Sequence, residues 1–346
     1  MADTIQEVLQ AFAKGELVVV TDDDDREGEG DLIVAASFCT AEKMAFIIRH
    51  TSGIVCAPIT TEDARRLRLD PMVAHNESNH TTAFTVSIDY KPDGGTGISA
   101  EERASCCRAL ANPNAGANDF ARPGHIFPLI ARDGGVLLRS GHTEAAVDLC
   151  RLSGLPPVGV ISELMNDDGT VMKGEQVAKF AAAHKLKHVT IADMIAYRQA
   201  REKLIERVAT FTTESPIGPL QGYAYRSPFD EIMHAAFVYN GIGDGRDVLT
   251  RLHKPNIVKD LFTGPARMEA VLRHFKDAGR GVLVYLRDGA AGVPVQPVGD
   301  QKTAEADRNK QWREVGVGAR LQGPVRFRHR DRVEREVRRL MRVIPG

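Results

Sequence analysis

Residues 17–34 read LVVVTDDDDREGEGDLIV, in which two apolar runs flank a loop of seven carboxylates, one arginine and two glycines. The apolar runs are rich in β-branched residues and predict two buried strands. The acidic segment must form a loop, because the interior of a sheet could not desolvate that charge. One interpretation is a solvated acidic turn. The other is a ligand site, in which glycine lets the backbone approach closely, Arg26 orders the acids, and carboxylate oxygens suit Mg²⁺ or Mn²⁺.

Outward from this segment, strands alternate with helices through the first half of the chain. That alternation predicts an α/β fold of the α+β type with a mixed sheet. A length of 346 residues is typical of about two domains. We therefore expect one domain at residues 1–208 and a second, smaller α/β domain at 209–346.

Local patterns predict individual elements. A helix is expected at 41–50, strands at 83–88 and 136–138, and a helix from Ile191 to about Val208. The proline- and glycine-containing segment 211–219 is typical of an inter-domain linker.

Composition excludes several classes of partner. The net charge of −1 provides no general attraction for nucleic acid, and the arginine-rich end at 326–342 is interleaved with acids, as in a solvated surface. No apolar run reaches membrane-spanning length, and no secretory signal is recognisable. All five cysteines lie within the first 150 residues without CxxC spacing, which predicts reduced thiols and a cytoplasmic location.

A turn suited to phosphate reads Arg139-Ser140-Gly141-His142-Thr143 and precedes a predicted helix. Free N–H groups at a helix N-terminus bind anions, and the guanidinium of Arg139 adds a charged fork. His142 lies at the mouth of this turn, where it could bind a metal or move a proton. A helix cap or a surface histidine remains the alternative.

Two further residues have the right types and positions for catalysis. His125 lies in the bend Arg122-Pro-Gly-His125 before an apolar strand, and Glu163 directly follows a buried strand. Carboxylates at strand C-termini are common in α/β active sites. The alternatives are a core hydrogen bond for His125 and an ion pair or helix cap for Glu163.

Together these motifs resemble the 3,4-dihydroxy-2-butanone 4-phosphate synthase family, in register over roughly residues 5 to 200. The segments that carry the resemblance are Thr21–Asp31, Arg49–Cys56, Arg122–His125, Arg139–Thr143 and Glu163–Thr170. The resemblance implies conversion of D-ribulose 5-phosphate to L-3,4-dihydroxy-2-butanone 4-phosphate and formate, a step of riboflavin biosynthesis, through divalent-metal-stabilised enediolate chemistry.

The resemblance also implies roles for individual residues and an assembly. Glu27 and His142 are similar to the family's magnesium ligands, and His125 and Glu163 to its catalytic positions. Its substrate contacts are matched by Arg26, Glu27, Asp31, Arg139, Ser140, Gly141, His142, Thr143 and Glu163. Glu29 and the aspartates at 22–25 are similar to its mobile acidic loop. The family is dimeric with active sites near the subunit interface, so a homodimer is expected.

From about residue 210 the chain resembles GTP cyclohydrolase II, whose zinc ion is held by three cysteines. The first cysteine position falls at Asn256, the segment between Phe262 and Met268 is shortened, and no cysteine follows Cys150. The loop after Arg287 lacks a second arginine. Because zinc needs thiolate or imidazole ligands, we expect no zinc and an inactive domain. The alternatives are a bifunctional enzyme that also hydrolyses GTP, or a non-catalytic regulatory protein.

Overall fold

The computed structural model describes residues 3–23, 26–202, 205–227, 233–245, 248–253, 255, 260 and 265–287. The chain divides into two compact units between Tyr197 and Arg198. The sequence predictions that concerned Asp24, Asp25, Asn256, residues 261–264, the loop after Arg287 and the arginine-rich end lie outside the described residues. No helix in the described part of the chain combines the length and apolar character needed to cross a bilayer.

The first unit contains seven strands and seven helices among its described residues, the last helix extending past the division. The strands are β1 (Val18–Thr21), β2 (Gly30–Ala35), β3 (Cys56–Ile59), β4 (Ile88–Tyr90), β5 (Phe120–Ile130), β6 (Gly159–Glu163) and β7 (Lys187–Thr190). The helices are α1 (Ile5–Ala13), α2 (Ala41–His50), α3 (Thr61–Arg66), α4 (Ala100–Leu110), α5 (His142–Leu152), α6 (Glu175–Ala183) and α7 (Ile191–Arg201).

The seven strands form one mixed sheet in the order β4-β5-β3-β6-β2-β1-β7. The acidic loop joins β1 and β2 as an antiparallel pair, and β2 also pairs antiparallel with β6. Two parallel pairs, β3 with β5 and β1 with β7, complete the mixed arrangement. The strands beside the acidic loop are therefore interior strands of the sheet, and they are buried, as their uninterrupted apolar runs predicted.

Helices cover both faces of this sheet. Along β6, Val160 belongs to the core formed with α2, α4 and α6, while a Cβ on the preceding Gly159 would lie 2.8 Å from the Cβ of Ala146 on α5. Side chains alternate between faces along a strand, so α5 lies on the opposite face from that core. Burial on both faces explains why β1 and β2 contain almost only apolar residues apart from Asp31.

The second unit is also a mixed sheet, in the order β11-β12-β10-β9-β8. Its strands are β8 (Glu206–Thr213), β9 (Leu220–Arg226), β10 (Met233–Tyr239), β11 (Leu249–His253) and β12 (Gly281–Tyr285), and its described helix is α8 (Pro265–Asp277). Leu272 and Phe275 of α8 pack on Leu283 of β12. Two mixed α/β units confirm the predicted fold class.

Several local predictions were wrong. Residues 135–137 form a 3₁₀ turn rather than a strand, and in 83–88 only isolated bridges precede β4. The helix predicted to Val208 ends at Arg201, and residues 211–213 of the predicted linker belong to β8. Residue 208, where the domain boundary was placed, lies within β8, and that boundary stays a prediction. Pairing with β9 extends β8 to Thr213, so only residues 214–219 of the predicted linker remain a connection.

Candidate active site

One open cleft in the first unit collects most of the residues that the sequence singled out. Those that line it are Arg26, Glu27, Asp31, Arg139, His142, Thr143 and Glu163. They come from the acidic loop, from β2 and β6, and from the turn before α5 and its first residues. Ser140 and Gly141 adjoin this set in the chain without lining the cleft, and His125 is not part of its wall.

Strand pairing brings the acidic residues together. Asp31 of β2 lies opposite Glu163 of β6 on one side and opposite Val20 of β1 on the other. Side chains of directly opposed residues share a face of the sheet, so the carboxyl groups of Asp31 and Glu163 are neighbours. Just beyond β2, Glu29 bridges to Lys173, whose ammonium group lies 3.2 Å from the Glu29 carboxylate.

Asp22, Glu27 and His142 form a cluster with the dimensions of a metal site. One ligand atom from each lies within 4.8 Å of the others. Two carboxylates and an imidazole suit Mg²⁺ or Mn²⁺ and leave further coordination positions for water or substrate. The fold thus brings together Glu27 and His142, and it adds Asp22, which sequence reasoning had grouped with the other loop aspartates. Metal binding by these residues stays a prediction.

Hydrogen bonds hold this loop in place. Arg26 Nη1 donates to Asp22 Oδ2 at 2.7 Å and also contacts the carboxylate of Glu27. The second oxygen of Asp22 accepts the backbone N–H of Glu29 at 2.9 Å. His80 Nε2 lies 3.5 Å from Glu27 Oε1, and Lys173 Nζ donates to the Glu27 carbonyl oxygen at 2.6 Å. The loop is therefore ordered by bonds among its own charged groups and by two residues outside it.

The imidazole of His142 is oriented as a metal ligand would be. Its Nε2 lies 3.2 Å from the carbonyl oxygen of Val20, which can only accept, so Nε2 carries the proton and Nδ1 the lone pair. Nδ1 lies 3.8 Å from Asp31 Oδ1. Burial lowers the pKa of His142, which favours the neutral form that binds metals.

Asp31 has the least favourable electrostatic environment of the residues in the cleft. Its side chain is buried, and Oδ1 accepts no hydrogen bond from any described residue. Burial raises the pKa of Asp31 well above its ordinary value, and the neighbouring Glu163, Glu27 and Asp22 raise it further. An unsatisfied buried oxygen beside three more carboxylates fits a site that takes up a cation or a proton.

Glu163 has a raised pKa at the mouth of the same cleft. Glu163 as a whole is exposed, but its carboxyl group is partly buried, and this burial raises its pKa. Glu29 and Glu27 raise the pKa further, whereas a hydrogen bond with Ser52 opposes the rise. A carboxyl group with a raised pKa at the mouth of a cleft is a candidate for proton transfer.

The turn at residues 139–143, which the sequence suggested for phosphate binding, ends at free N–H groups of α5. Its arginine, Arg139, already makes several hydrogen bonds. Gly141 is the N-cap of α5 and provides no side-chain cap, so the first N–H groups of α5 can bind an anion. Arg139 Nη1 donates to buried Glu144 at 2.7 Å, and Nη2 donates to the His80 carbonyl and Thr82 Oγ1 at 3.1 Å each. A Cβ on Gly141 would lie 2.3 Å from Arg139 Nη1, so a larger residue would displace that guanidinium from its present position.

His125 occupies a different place. Its Nδ1 and its backbone N–H each lie 2.8 Å from the carboxylate of Asp89 on β4. Its side chain is 42% exposed, so another molecule can reach it. The cleft of the same chain contains no His125 atom in its wall.

Sequence reasoning missed several residues that shape the cleft. Cys56 and Thr82 line it, and His80 contacts Glu27. Cys56 ends one of the motifs that carried the family resemblance, so that signal was present and was not assigned a role. The segment around His80 and Thr82 has no helical or strand periodicity, and only the fold brings it to the acidic loop.

Asp31→Asn is expected to raise the thermal unfolding midpoint of the metal-free chain at pH 8. Because the folded state raises the pKa of Asp31, its charge destabilises the fold above that pKa and has no cost at low pH. The gain should correspond to about 1–3 kcal/mol, the cost of an unsatisfied buried polar group, and should vanish as the pH falls.

The measurement is calorimetric unfolding in EDTA across pH, with Asp133→Asn as an exposed control. An unchanged or lower midpoint for Asp31→Asn at pH 8 would contradict the destabilising role of this charge.

Comparisons with known proteins agree with this geometry. Residues 6–197 match the 3,4-dihydroxy-2-butanone 4-phosphate synthase family, and residues 206–322 match GTP cyclohydrolase II. The "Bifunctional riboflavin biosynthesis protein RIBA 1, chloroplastic" of Arabidopsis thaliana is 47% identical over 82% of this chain, which spans only 54% of that relative. The "Monofunctional riboflavin biosynthesis protein RIBA 2, chloroplastic" of the same plant is 45% identical over 92% of this chain and 69% of its own length.

Two solved structures resemble parts or all of the chain. A 3,4-dihydroxy-2-butanone 4-phosphate synthase in complex with two magnesium ions is 49% identical, with a TM-score of 0.57 over 57% of this chain and 98% of its own. RibBX, a two-domain 3,4-dihydroxy-2-butanone 4-phosphate synthase from A. baumannii, is 34% identical, with a TM-score of 0.77 over 94% of this chain and 92% of its own. With its cleft, its fold and these relatives in agreement, the chain belongs to the 3,4-dihydroxy-2-butanone 4-phosphate synthase family.

Proposed function

We propose that the chain converts D-ribulose 5-phosphate to L-3,4-dihydroxy-2-butanone 4-phosphate and formate, the reaction of riboflavin biosynthesis that its family name implies. One observation carries the proposal. Asp22, Glu27 and His142 approach one another within 4.8 Å beside buried Asp31, in a cleft that also contains Arg139 and Thr143. A ketose phosphate needs both halves of this arrangement. Its carbonyl end needs a cation that binds oxygen atoms, and its phosphate end needs a site that binds an anion.

The donor set fits a magnesium or manganese ion, and a relative is described with two magnesium ions. Glu27 and His142 would hold the ion, with Asp22 as a further ligand from the same cluster. A bound divalent ion would polarise the substrate carbonyl and stabilise charge on its enediolate oxygens. No zinc is expected, because the second half of the chain contains none of the cysteines that would bind it.

The residues of the chain would divide the remaining work. The N-terminus of α5, with Thr143 and Arg139, would hold the phosphate, and Arg26 would approach it from the acidic loop. Ser140 and Gly141 would contribute through the backbone of the same turn. Glu163 and Asp31, whose pKa values are both raised, would move protons to and from the substrate hydroxyls.

Formate release from ribulose 5-phosphate with Mg²⁺ is the direct test. Glu27→Gln should lower the rate by about 100-fold or more, because losing even an indirect support of a metal ligand costs 10–100-fold. Glu175→Gln removes an exposed helix carboxylate instead and should retain the parental rate. Absence of formate from the parent chain would refute the proposed function, and a normal rate in Glu27→Gln would refute the ligand role.

We propose that this reaction resides in residues 1–208 and that 209–346 hydrolyse no GTP. The absence of cysteine after Cys150 supports this, as do the relatives described as monofunctional and as a two-domain synthase. A bifunctional chain is the second candidate, favoured by the cyclohydrolase II match and by the bifunctional relative.

Incubation with GTP and Zn²⁺ separates these two candidates. We expect no pyrimidine product and no formate from GTP, because the second half has no thiolate to bind zinc. The same preparation should release formate from ribulose 5-phosphate, which controls for its integrity. Turnover of GTP would establish the bifunctional alternative.

We propose that the chain acts as a homodimer in which His125 serves the cleft of the partner copy. The cleft wall of the same chain contains no His125 atom, yet this side chain is well exposed. A two-fold symmetric dimer could supply the missing group to both clefts at once. The five buried cysteines form no disulfide, which supports a reducing, cytoplasmic location.

Heterodimers purified with two different tags test this arrangement. Pairing Glu27→Gln with His125→Gln should restore about half of the parental activity, because one cleft would then be intact and the other doubly damaged. Pairing Glu27→Gln with Glu163→Gln should restore nothing, since both residues line the same cleft. No recovery in the first pair, or a monomeric protein by sedimentation, would exclude this dimer.

A further inference from the structure

The Asp89 carboxylate holds His125 through both of its oxygens. Oδ1 accepts the backbone N–H of His125 at 2.8 Å, and Oδ2 lies 2.8 Å from the ring Nδ1. The far ring nitrogen, Nε2, has no hydrogen-bond partner among the described residues. A carboxylate accepts from both groups, so in the neutral imidazole Nδ1 carries the proton and Nε2 presents its lone pair outward.

The backbone around this pair is arranged so that the two residues meet. Ile88 pairs with Ile126, whereas Asp89 pairs with Ala121, so residues 122–125 bulge out of the ladder between β4 and β5. Bulges of this kind re-aim side chains. Here the bulge places the backbone and the ring of His125 against Asp89.

Two glycines make the close approach possible. A Cβ on Gly124 would lie 2.0 Å from the backbone carbon of Ile88, and a Cβ on Gly97 would lie 2.2 Å from the Asp89 carboxylate. Gly97 also has a φ of +85°, which favours glycine. Three separate chain segments therefore converge on this one contact.

We propose that Asp89 is a positioning residue for the reaction. It fixes the tautomer and the direction of the His125 ring so that Nε2 can take up or release a proton in the neighbouring cleft. The inference rests on the proposed function for its catalytic consequence, whereas its structural content, the tautomer of His125, is independent of any activity.

Asp89→Asn provides a sharp test because the substitution should invert the tautomer. The backbone N–H of His125 requires an acceptor, so the amide oxygen of Asn would face it and the amide NH₂ would face Nδ1. An NH₂ group donates, which would leave the lone pair on Nδ1 and move the proton to Nε2. Long-range ¹⁵N–¹H spectra of ¹⁵N-histidine-labelled protein report this tautomer, and His125→Gln assigns the signal.

The expected spectra are the Nδ1–H form in the parent chain and the Nε2–H form in Asp89→Asn. Ser87→Ala is the matched control, because Ser87 accepts the N–H of Gly124 at 3.1 Å in the same bulge without touching the ring. It should retain the Nδ1–H form. An Nε2–H tautomer in the parent, or an unchanged tautomer in Asp89→Asn, would overturn the proposal even if the enzyme is active.

Kinetics test the catalytic consequence. Asp89→Asn should lower kcat by about 100-fold with little change in KM, in line with the loss of one proton-transfer group. In a His125→Gln background the same substitution should have no further effect, because Asp89 would act only through His125. An additive loss in the double variant would show that Asp89 has a separate structural role and would overturn the positioning role.

Discussion

Antiparallel pairing of β2 with β1 and β6 is the constraint on which the site depends. It places Asp31 in the middle of a sheet that helices cover on both faces, opposite Val20 on one strand and Glu163 on the other. The Val20 carbonyl in turn accepts from His142, so the same ladder orients the imidazole. A shift of one residue in either pairing would turn Asp31 to the other face of the sheet.

This arrangement concentrates negative charge where the fold can least solvate it. Asp31 has no donor for Oδ1 among the described residues, and its neighbours raise its pKa further. Arg26 and Lys173 offset part of the charge at the rim of the loop. Such strain is typical of sites in which function, rather than stability, selects the residues. A cation in the cluster would relieve it.

The end of the cleft at Arg139, proposed to bind the phosphate, is built differently from the end formed by the acidic loop. Glu144 is buried and holds one side of Arg139, while the segment at His80 and Thr82 holds the other. His80 also contacts Glu27, so one short segment touches both halves of the cleft. His125 and Asp89 form a third group outside that cleft. The acidic residues, the turn at Arg139 and the His125–Asp89 pair thus lie on separate parts of the fold.

The sequence by itself determined the mixed α/β class, the two strands around the acidic loop and the identity of most cleft residues, because local periodicity and short motifs encode them. Only the tertiary structure decided that Asp22 joins Glu27 and His142, that His125 lies outside the cleft of its own chain, and that residues 211–213 form a strand. The first two depend on the packing of residues distant in the chain, and the third depends on pairing with β9 across a short connection. No local propensity records such contacts, since strand pairing and charge clustering arise only when the sheet assembles.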